Sequence, residues 1–266
     1  MFLKKIKKTM NKSIKILVCF HKQYELPKSE IFIPIHCGRD IAFENSKDGK
    51  ISQEEYNWLI KNTIGDNTGD NISNLNREFN EMTAIYWAWK NYDKIDNPDF
   101  IGLNHYRRFF SINPDKISRL LNKYDFLTSK HYIKKNKTLY SQWPEELSNL
   151  YLDSCLKIME EDSKYGIDFI NYMNSGYIGG WCNMFVMSKK DFFNYCNFIF
   201  PNLFKIYDKL GSQNRQIGMF AERLTSFYLY QLANEKKACV LEIPNVNNDP
   251  FYKKIRRSIY NFFKLL

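Results

Sequence analysis

Asn104, His105, Arg107 and Arg108 end an apolar run, Phe100-Ile101-Gly102-Leu103. Strands seldom finish in such a knot for packing reasons alone. In an open α/β sheet, ligands bind outside the carboxyl ends of the strands. Two guanidiniums and an imidazole delivered there suit an anion, above all a phosphate. If the strand continues through them, the adjacent arginines point to opposite sides, one toward a ligand and one toward a structural carboxylate. A buried salt-bridge network of His105 with one arginine is the competing use of the same residues.

Three further groups could carry chemistry. Asn71, Asn74, Asn76, Glu78 and Glu81 crowd the entry to a helix. Capping accounts for one or two of them. An amide-rich helix N-terminus also suits the base, ribose or phosphate of a nucleotide. Glu81, beside an aromatic run, reads as a buried and partnered acid. Next, Gly179-Gly180 permits a backbone to approach a ligand closely. Trp181 could stack on a sugar and Asn183 follows it, although a tight turn before a buried strand explains the same residues. Last, Arg215 precedes a helix that carries Glu222 and Arg223. Glu222 is either a structural acid near a helix start or a general base. No Walker loop, GxGxxG, HExxH or GxSxG occurs. Nor does an Asp-x-Asp follow an apolar strand; Asp66-Asn67 and Asp70-Asn71 are weak substitutes in a loop.

These groups must be positioned by an alternation of strands and helices. Ile14–Phe20 reads as a buried strand ending at His21-Lys22, and Ile31–His36 as a second, with Pro34 pointing to an edge. A short helix is expected near 52–61. Phe79, Met82, Ile85, Tyr86 and Trp89 have helical spacing, so one helix is expected through 74–90. Strand 100–103, helix 117–121, strand 124–127, helix 147–160, a strand running to Met187, helices 190–209 and 219–234, and strand 239–243 complete the pattern. Strand, helix, strand in this order predicts an α/β sheet. Residues 129–147 read as a loop over a site.

The chain has 266 residues and a formal net charge of +10. The excess sits in the ends. Residues 1–15 carry six lysines and residues 251–266 carry five Lys or Arg, neither with an acid, which leaves the body at −1. Nucleic-acid binding shows a basic face on the folded body, so it is not expected, and an anionic membrane surface fits better. Phe251, Ile255, Ile259, Phe262, Phe263 and Leu266 form one stripe of an expected C-terminal amphipathic helix. The predicted organisation is a basic arm over 1–13, one domain over 14–245, and a membrane-associating tail over 246–266. Six scattered cysteines without metal-ligand spacing suit a reducing cytoplasm, with Cys19 and Cys37 as buried thiols. No run of 18 apolar residues predicts a transmembrane helix, and no signal peptide is expected.

The motifs Phe20-His21-Lys22, Gly69–Asn91, Phe100–Phe110, Asn183–Met187 and Arg215–Leu224 together resemble a family. It is that of the bacterial capsular and exopolysaccharide glycosyltransferases long grouped as a domain of unknown function, some assigned as galactofuranosyltransferases. The resemblance covers about residues 14–235. It implies a GT-A-like, Rossmann-like mixed sheet flanked by helices, and transfer from a nucleotide-diphosphate sugar, UDP-linked, to a glycan or polyprenyl-diphosphate-linked acceptor. It places Phe20, His21 and Lys22 near the nucleotide, Gly38 and Asp40 at the base or ribose, and Asn71, Asn76 and Glu81 in the next wall. Asn104, His105 and Arg107 or Arg108 fall where such enzymes usually carry Asp-x-Asp. Gly180, Asn183 and Arg215 complete the expected donor site, with Glu222 and then Glu81 as the catalytic carboxylates. No metal or other cofactor is expected, because fixed cations can stabilise a leaving UDP. The expected location is the cytoplasmic membrane face. A non-catalytic glycan- or nucleotide-binding subunit and a sugar-phosphate transferase are the alternatives.

Overall fold

A computed structural model describes residues 12–45, 49–110, 112–130, 137–143, 147–175, 181–212 and 215–242. Most of the basic arm, the whole 246–266 tail, Gly180 and much of the 129–147 loop lie outside the described residues. In chain order the elements are β1 (Ile14–Phe20), β2 (Phe32–His36), α1 (Gln53–Asn62), β3 (Ile64–Gly65), α2 (Asn76–Phe79), α3 (Met82–Lys90), β4 (Phe100–His105), α4 (Pro114–Leu121), β5 (Phe126–Ser129), α5 (Asn149–Asp162), α6 (Gly166–Ser175), β6 (Phe185–Ser188), α7 (Lys189–Leu210), α8 (Gln216–Glu235) and β7 (Ala238–Leu241).

The strands form one mixed sheet in the order β3-β2-β1-β4-β6-β5-β7. β3, β2, β1 and β4 are parallel neighbours, and β5 is parallel to β7. β6 runs against both β4 and β5. All strands but β6 therefore end on the same edge, and the lead-in to β6 arrives at that edge. Gly102 makes the reversal possible. A Cβ there would stand 2.6 Å from the Phe185 carbonyl oxygen and 2.8 Å from a Val186 methyl.

Alternate residues of β1 and β4 face two layers. Leu17, Cys19, Ile101 and Leu103 enter the larger core with α3 and α5–α8, while Ile14, Ile16 and Phe100 join Ile117 and Leu121 of α4. Cys19 and Cys37 are buried, as expected. β2 is not the edge strand that its proline suggested, because β3 pairs with it, but only at Ile35 and His36. Cys37 N donates to Phe20 O, whereas Asp66 N donates to His36 O. Even-numbered positions of β2 thus turn outward, and β3 is only two residues long, so no outer strand reaches Pro34.

Two further expectations change. The single helix over 74–90 is broken at Asn80, where φ is +50°. Asn76 Nδ2 donates to Asn80 O at 2.7 Å and so caps a four-residue turn before α3 restarts. Helix α6 was not anticipated, although Phe169, Tyr172 and Met173 are buried at helical spacing. The short helix expected near 52–61 forms as α1. Ser52 and Glu55 form a capping box at α1.

One buried acid organises the exit of β2. Asp66 accepts hydrogen bonds from Gly38 N (2.7 Å), Arg39 N (3.1 Å), Ser73 Oγ (2.5 Å) and Thr83 Oγ1 (2.6 Å). Gly38 takes the left-handed φ of +69° that this turn requires. Burial pushes Asp66 toward its protonated form, and the four donors oppose that. Asp66→Ala leaves two buried N–H groups unpaired. It should cost about 3 kcal/mol or more in urea unfolding, with Asp66→Asn losing less because it keeps one accepting oxygen. Loss under 1 kcal/mol for Asp66→Ala would refute the organising role.

Candidate active site at the carboxyl edge of the sheet

β4 does not continue through its arginines. His105 N donates to Arg108 O (2.8 Å) and Arg108 N to His105 O (3.0 Å), which closes a tight turn with Tyr106 and Arg107 at its tip. Tyr106 is buried. It stacks on Phe20 at 5.4 Å, meets His21 and Tyr24 edge-on, and its hydroxyl lies 3.2 Å from His21 Nε2. The Arg107 guanidinium covers the Tyr106 ring at 4.8 Å. Arg108 turns the other way, with Nη1 3.6 Å from Cys182 Sγ. The turn, rather than strand alternation, separates the two arginines.

The lead-in to β6 holds two of the site residues. Cys182 and Asn183 both have left-handed backbones, with φ of +56° and +55°. This bend aims the Cys182 carbonyl at His105 Nε2, 2.8 Å away. A carbonyl only accepts, so Nε2 carries the proton. Asn183 Nδ2 donates to Glu81 Oε1 at 2.8 Å, and Thr225 Oγ1 of α8 donates to Asn183 Oδ1 at 2.6 Å. The Cys182 thiol is pushed well up by burial, so it is not a ready nucleophile.

Glu222 projects from the second turn of α8, and its side chain is 13% exposed. Burial pushes its carboxyl up to about 7, Arg223 opposes this, neighbouring Glu81 adds to it, and Arg108 and Arg215 oppose it. The arrangement sets two carboxylates among three guanidiniums. Arg223 is held in place by Met219 O at 3.1 Å and by the Trp143 ring at 5.0 Å. Arg215, at φ +69°, begins α8, and its N–H donates to Arg77 O.

The other expected site residues occupy a frame beside this group. Asn76 packs under Gly38, and its amide protons go to Asn80 O and to Thr83 Oγ1. Asp40 accepts from Asn67 Nδ2, and Asn71 is engaged with Gly69 O and Ser73 N. Phe20 is fully buried under Tyr106, so it acts through that ring. Lys22 is half-buried just beyond β1. Asn104 is fully buried, and neither end of its amide has a hydrogen-bond partner among the described residues. Structure thus gathers Glu81, Asn104, His105, Arg108, Asn183, Arg215 and Glu222 toward one edge. Tyr106, Cys182, Thr225 and Tyr195 complete it, and sequence reasoning missed their roles. Thr225 and Tyr195 sit mid-helix among apolar residues, where nothing marks them.

Among the described residues, no group of three or more His, Cys, Asp or Glu could hold a metal ion. At the end of β4 the donor set is an amide, a protonated imidazole nitrogen and a guanidinium, which does not fit a divalent cation. No described helix is long and apolar enough to cross a membrane.

The fold resembles that of a known glycosyltransferase. The apo structure of the bifunctional glycosyltransferase WbbM matches it with a TM-score of 0.70 and 26% identity over 90% of this chain. The chain spans about half, 46%, of that protein's length. A family model described as a domain of unknown function, DUF4422, matches residues 15–235, and the chain belongs to that family. No curated protein matches the chain.

The raised Glu222 carboxyl has a consequence for stability. Its proton is held more tightly in the folded chain than in the unfolded one, where 4.5 is ordinary. The stability it lends is full below about 4.5 and is lost as the pH rises through about 7. The loss amounts to about 3 kcal/mol. Glu222→Gln, which never ionises, should therefore exceed the wild type in stability at pH 8 by up to that amount and match it near pH 4.5. Urea unfolding at the two pH values reads the difference directly. A stability gap that does not change with pH would contradict the burial-driven shift.

Proposed function

We propose that this protein is a glycosyltransferase that moves a sugar, galactose or galactofuranose, from a UDP-linked donor to a growing capsular or exopolysaccharide chain or a lipid-linked oligosaccharide. The observation that carries the reading is the pairing of Glu81 and Glu222 with Arg108 and Arg215 at the carboxyl edge of a sheet that resembles WbbM. The acceptor hydroxyl oxygen attacks the anomeric carbon as the bond from that carbon to the diphosphate oxygen breaks. Its proton passes to Glu222, whose carboxyl near 7 suits a general base at neutral pH. Glu81, the adjoining carboxylate, orients the acceptor hydroxyl. The departing UDP gains negative charge, and Arg108 and Arg215 supply positive groups for it. Transfer on this reading needs no divalent metal.

The buried, unpartnered Asn104 amide lies directly behind the turn. An amide in that state costs stability unless a ligand or water satisfies it, which supports a polar ligand at this edge. Both basic ends of the sequence support a membrane-bound acceptor. The protein would then work on the cytoplasmic membrane face, held by residues 246–266.

A panel of UDP-sugars with lipid-linked and soluble acceptors tests the reading. UDP release that depends on acceptor, survives exhaustive EDTA, and falls as the pH drops through about 7 is the expected result. Glu222→Gln should lower kcat at least about 100-fold while UDP still raises the melting temperature. Release of UMP would indicate sugar-phosphate transfer, and nucleotide binding without turnover would indicate a binding subunit. Complete loss in EDTA with recovery on manganese would overturn the metal-free mechanism. Removal of residues 246–266 should reduce co-sedimentation with anionic liposomes and spare transfer to a soluble acceptor; unchanged sedimentation would count against the anchor.

A further inference from the structure

The Asn183 side chain is fully buried and both of its ends are engaged. Its oxygen and nitrogen ends have nearly the same shape, so packing alone cannot decide which faces Glu81. Hydrogen bonding decides it. Tyr195 OH of α7 lies 2.7 Å from Thr225 Oγ1, and Thr225 Oγ1 lies 2.6 Å from Asn183 Oδ1. An amide oxygen only accepts, so Thr225 spends its one proton on Asn183, and Tyr195 must donate to Thr225. The relay runs one way, from Tyr195 through Thr225 to Asn183 and on to Glu81 Oε1. A flipped amide would set Oδ1 against the Glu81 carboxylate, acceptor against acceptor, and would leave the Thr225 proton without its partner.

All three relay residues are fully buried in the core behind the edge. Glu81 itself is half-buried at the start of α3. Its Oε1 takes the Asn183 bond, and Oε2 accepts none from the described residues. One oxygen is thus anchored to the core and the other is left for a ligand.

We propose that Asn183 is a positioning residue for the transfer step, fixing the Glu81 carboxylate through an amide whose orientation is locked by the Tyr195–Thr225 hydroxyl relay. The inference rests on the transferase reading above and extends it into the core. It assigns Asn183 to the carboxylate instead of the donor sugar. It also accounts for two buried hydroxyls that substrate never meets. The left-handed backbone at Cys182 and Asn183 belongs to the same device, since it delivers the amide to Glu81 and the Cys182 carbonyl to His105 together.

Thr225→Val tests this with a change of similar shape that removes the hydroxyl, both the donor to Asn183 and the acceptor for Tyr195. A loosened Glu81 should lower kcat about 10- to 100-fold, with the donor KM and the UDP-induced thermal shift within about twofold of the wild type. Thr225→Ser, which keeps the hydroxyl, should restore most of the rate. In a Glu81→Gln background, Thr225→Val should add no further loss, because the group it positions is already gone. Wild-type kcat in Thr225→Val, equal loss in Thr225→Ser, or full additivity with Glu81→Gln would each overturn the inference while leaving the transferase reading intact. A wild-type protein that binds UDP and transfers no sugar to any acceptor would overturn both.

Discussion

The site exists because one strand runs backward. β6 lies antiparallel between β4 and β5, and this orientation delivers Trp181–Asn183 to the edge where β1, β2 and β4 end. The close approach depends on Gly102, whose missing side chain is replaced by the Phe185 carbonyl. A parallel β6 would put Cys182 and Asn183 at the opposite edge, out of reach of His105 and Glu81. Backbone direction therefore does the first half of the assembly. Charged and polar side chains then need only short reaches to meet.

Electrostatics governs the second half. Burial raises the cost of ionising Glu222, and neighbouring Glu81 adds to it. Arg223, Arg108 and Arg215 reduce that cost from two elements, the first two from α8 and the turn after β4, and Arg215 from the cap that begins α8. The arginines differ in freedom. Arg223 is buried against Trp143 and serves the carboxylates continuously. Arg108 is exposed and bonded only weakly to a thiol, so it can turn to an arriving anion at small cost. Arg107 rests on Tyr106 and shields the aromatic stack that closes the end of β1.

Much of the frame was legible because its signals are local. The apolar run Ile14–Phe20, the short helix near 52–61 and the helix over 219–234 each report on neighbours along the chain. The knot at 104–108 does lie at the carboxyl end of β4. The sequence did not reveal that Arg107 and Arg108 part at a turn, since the two hydrogen bonds between His105 and Arg108 arise only once β4 stops pairing. Asn80 likewise broke a well-spaced helix through its contacts with Asn76, a tertiary override of periodicity. Thr225 and Tyr195 carried no signal at all, because a hydroxyl on a buried helix face looks like any other core position until its partner is known.

Two buried carboxylates in this chain show how structural and chemical acids differ. Asp66 meets four donors, two of them backbone N–H groups, and its surroundings have no unfilled demand. Such an acid holds a turn together and has little reason to exchange a proton. Glu222 has one long contact, 3.5 Å to Arg223, and lies beside another carboxylate. A group left so poorly solvated and so close to a like charge is costly for the fold, and a packed interior would select against it on stability alone. Its retention at the same edge as Arg108 and Arg215 is explained if the missing solvation is supplied by a substrate hydroxyl. Under that condition the strain at Glu222 is relieved when a proton arrives from the acceptor, so the fold's least comfortable group is also the one best placed to take it.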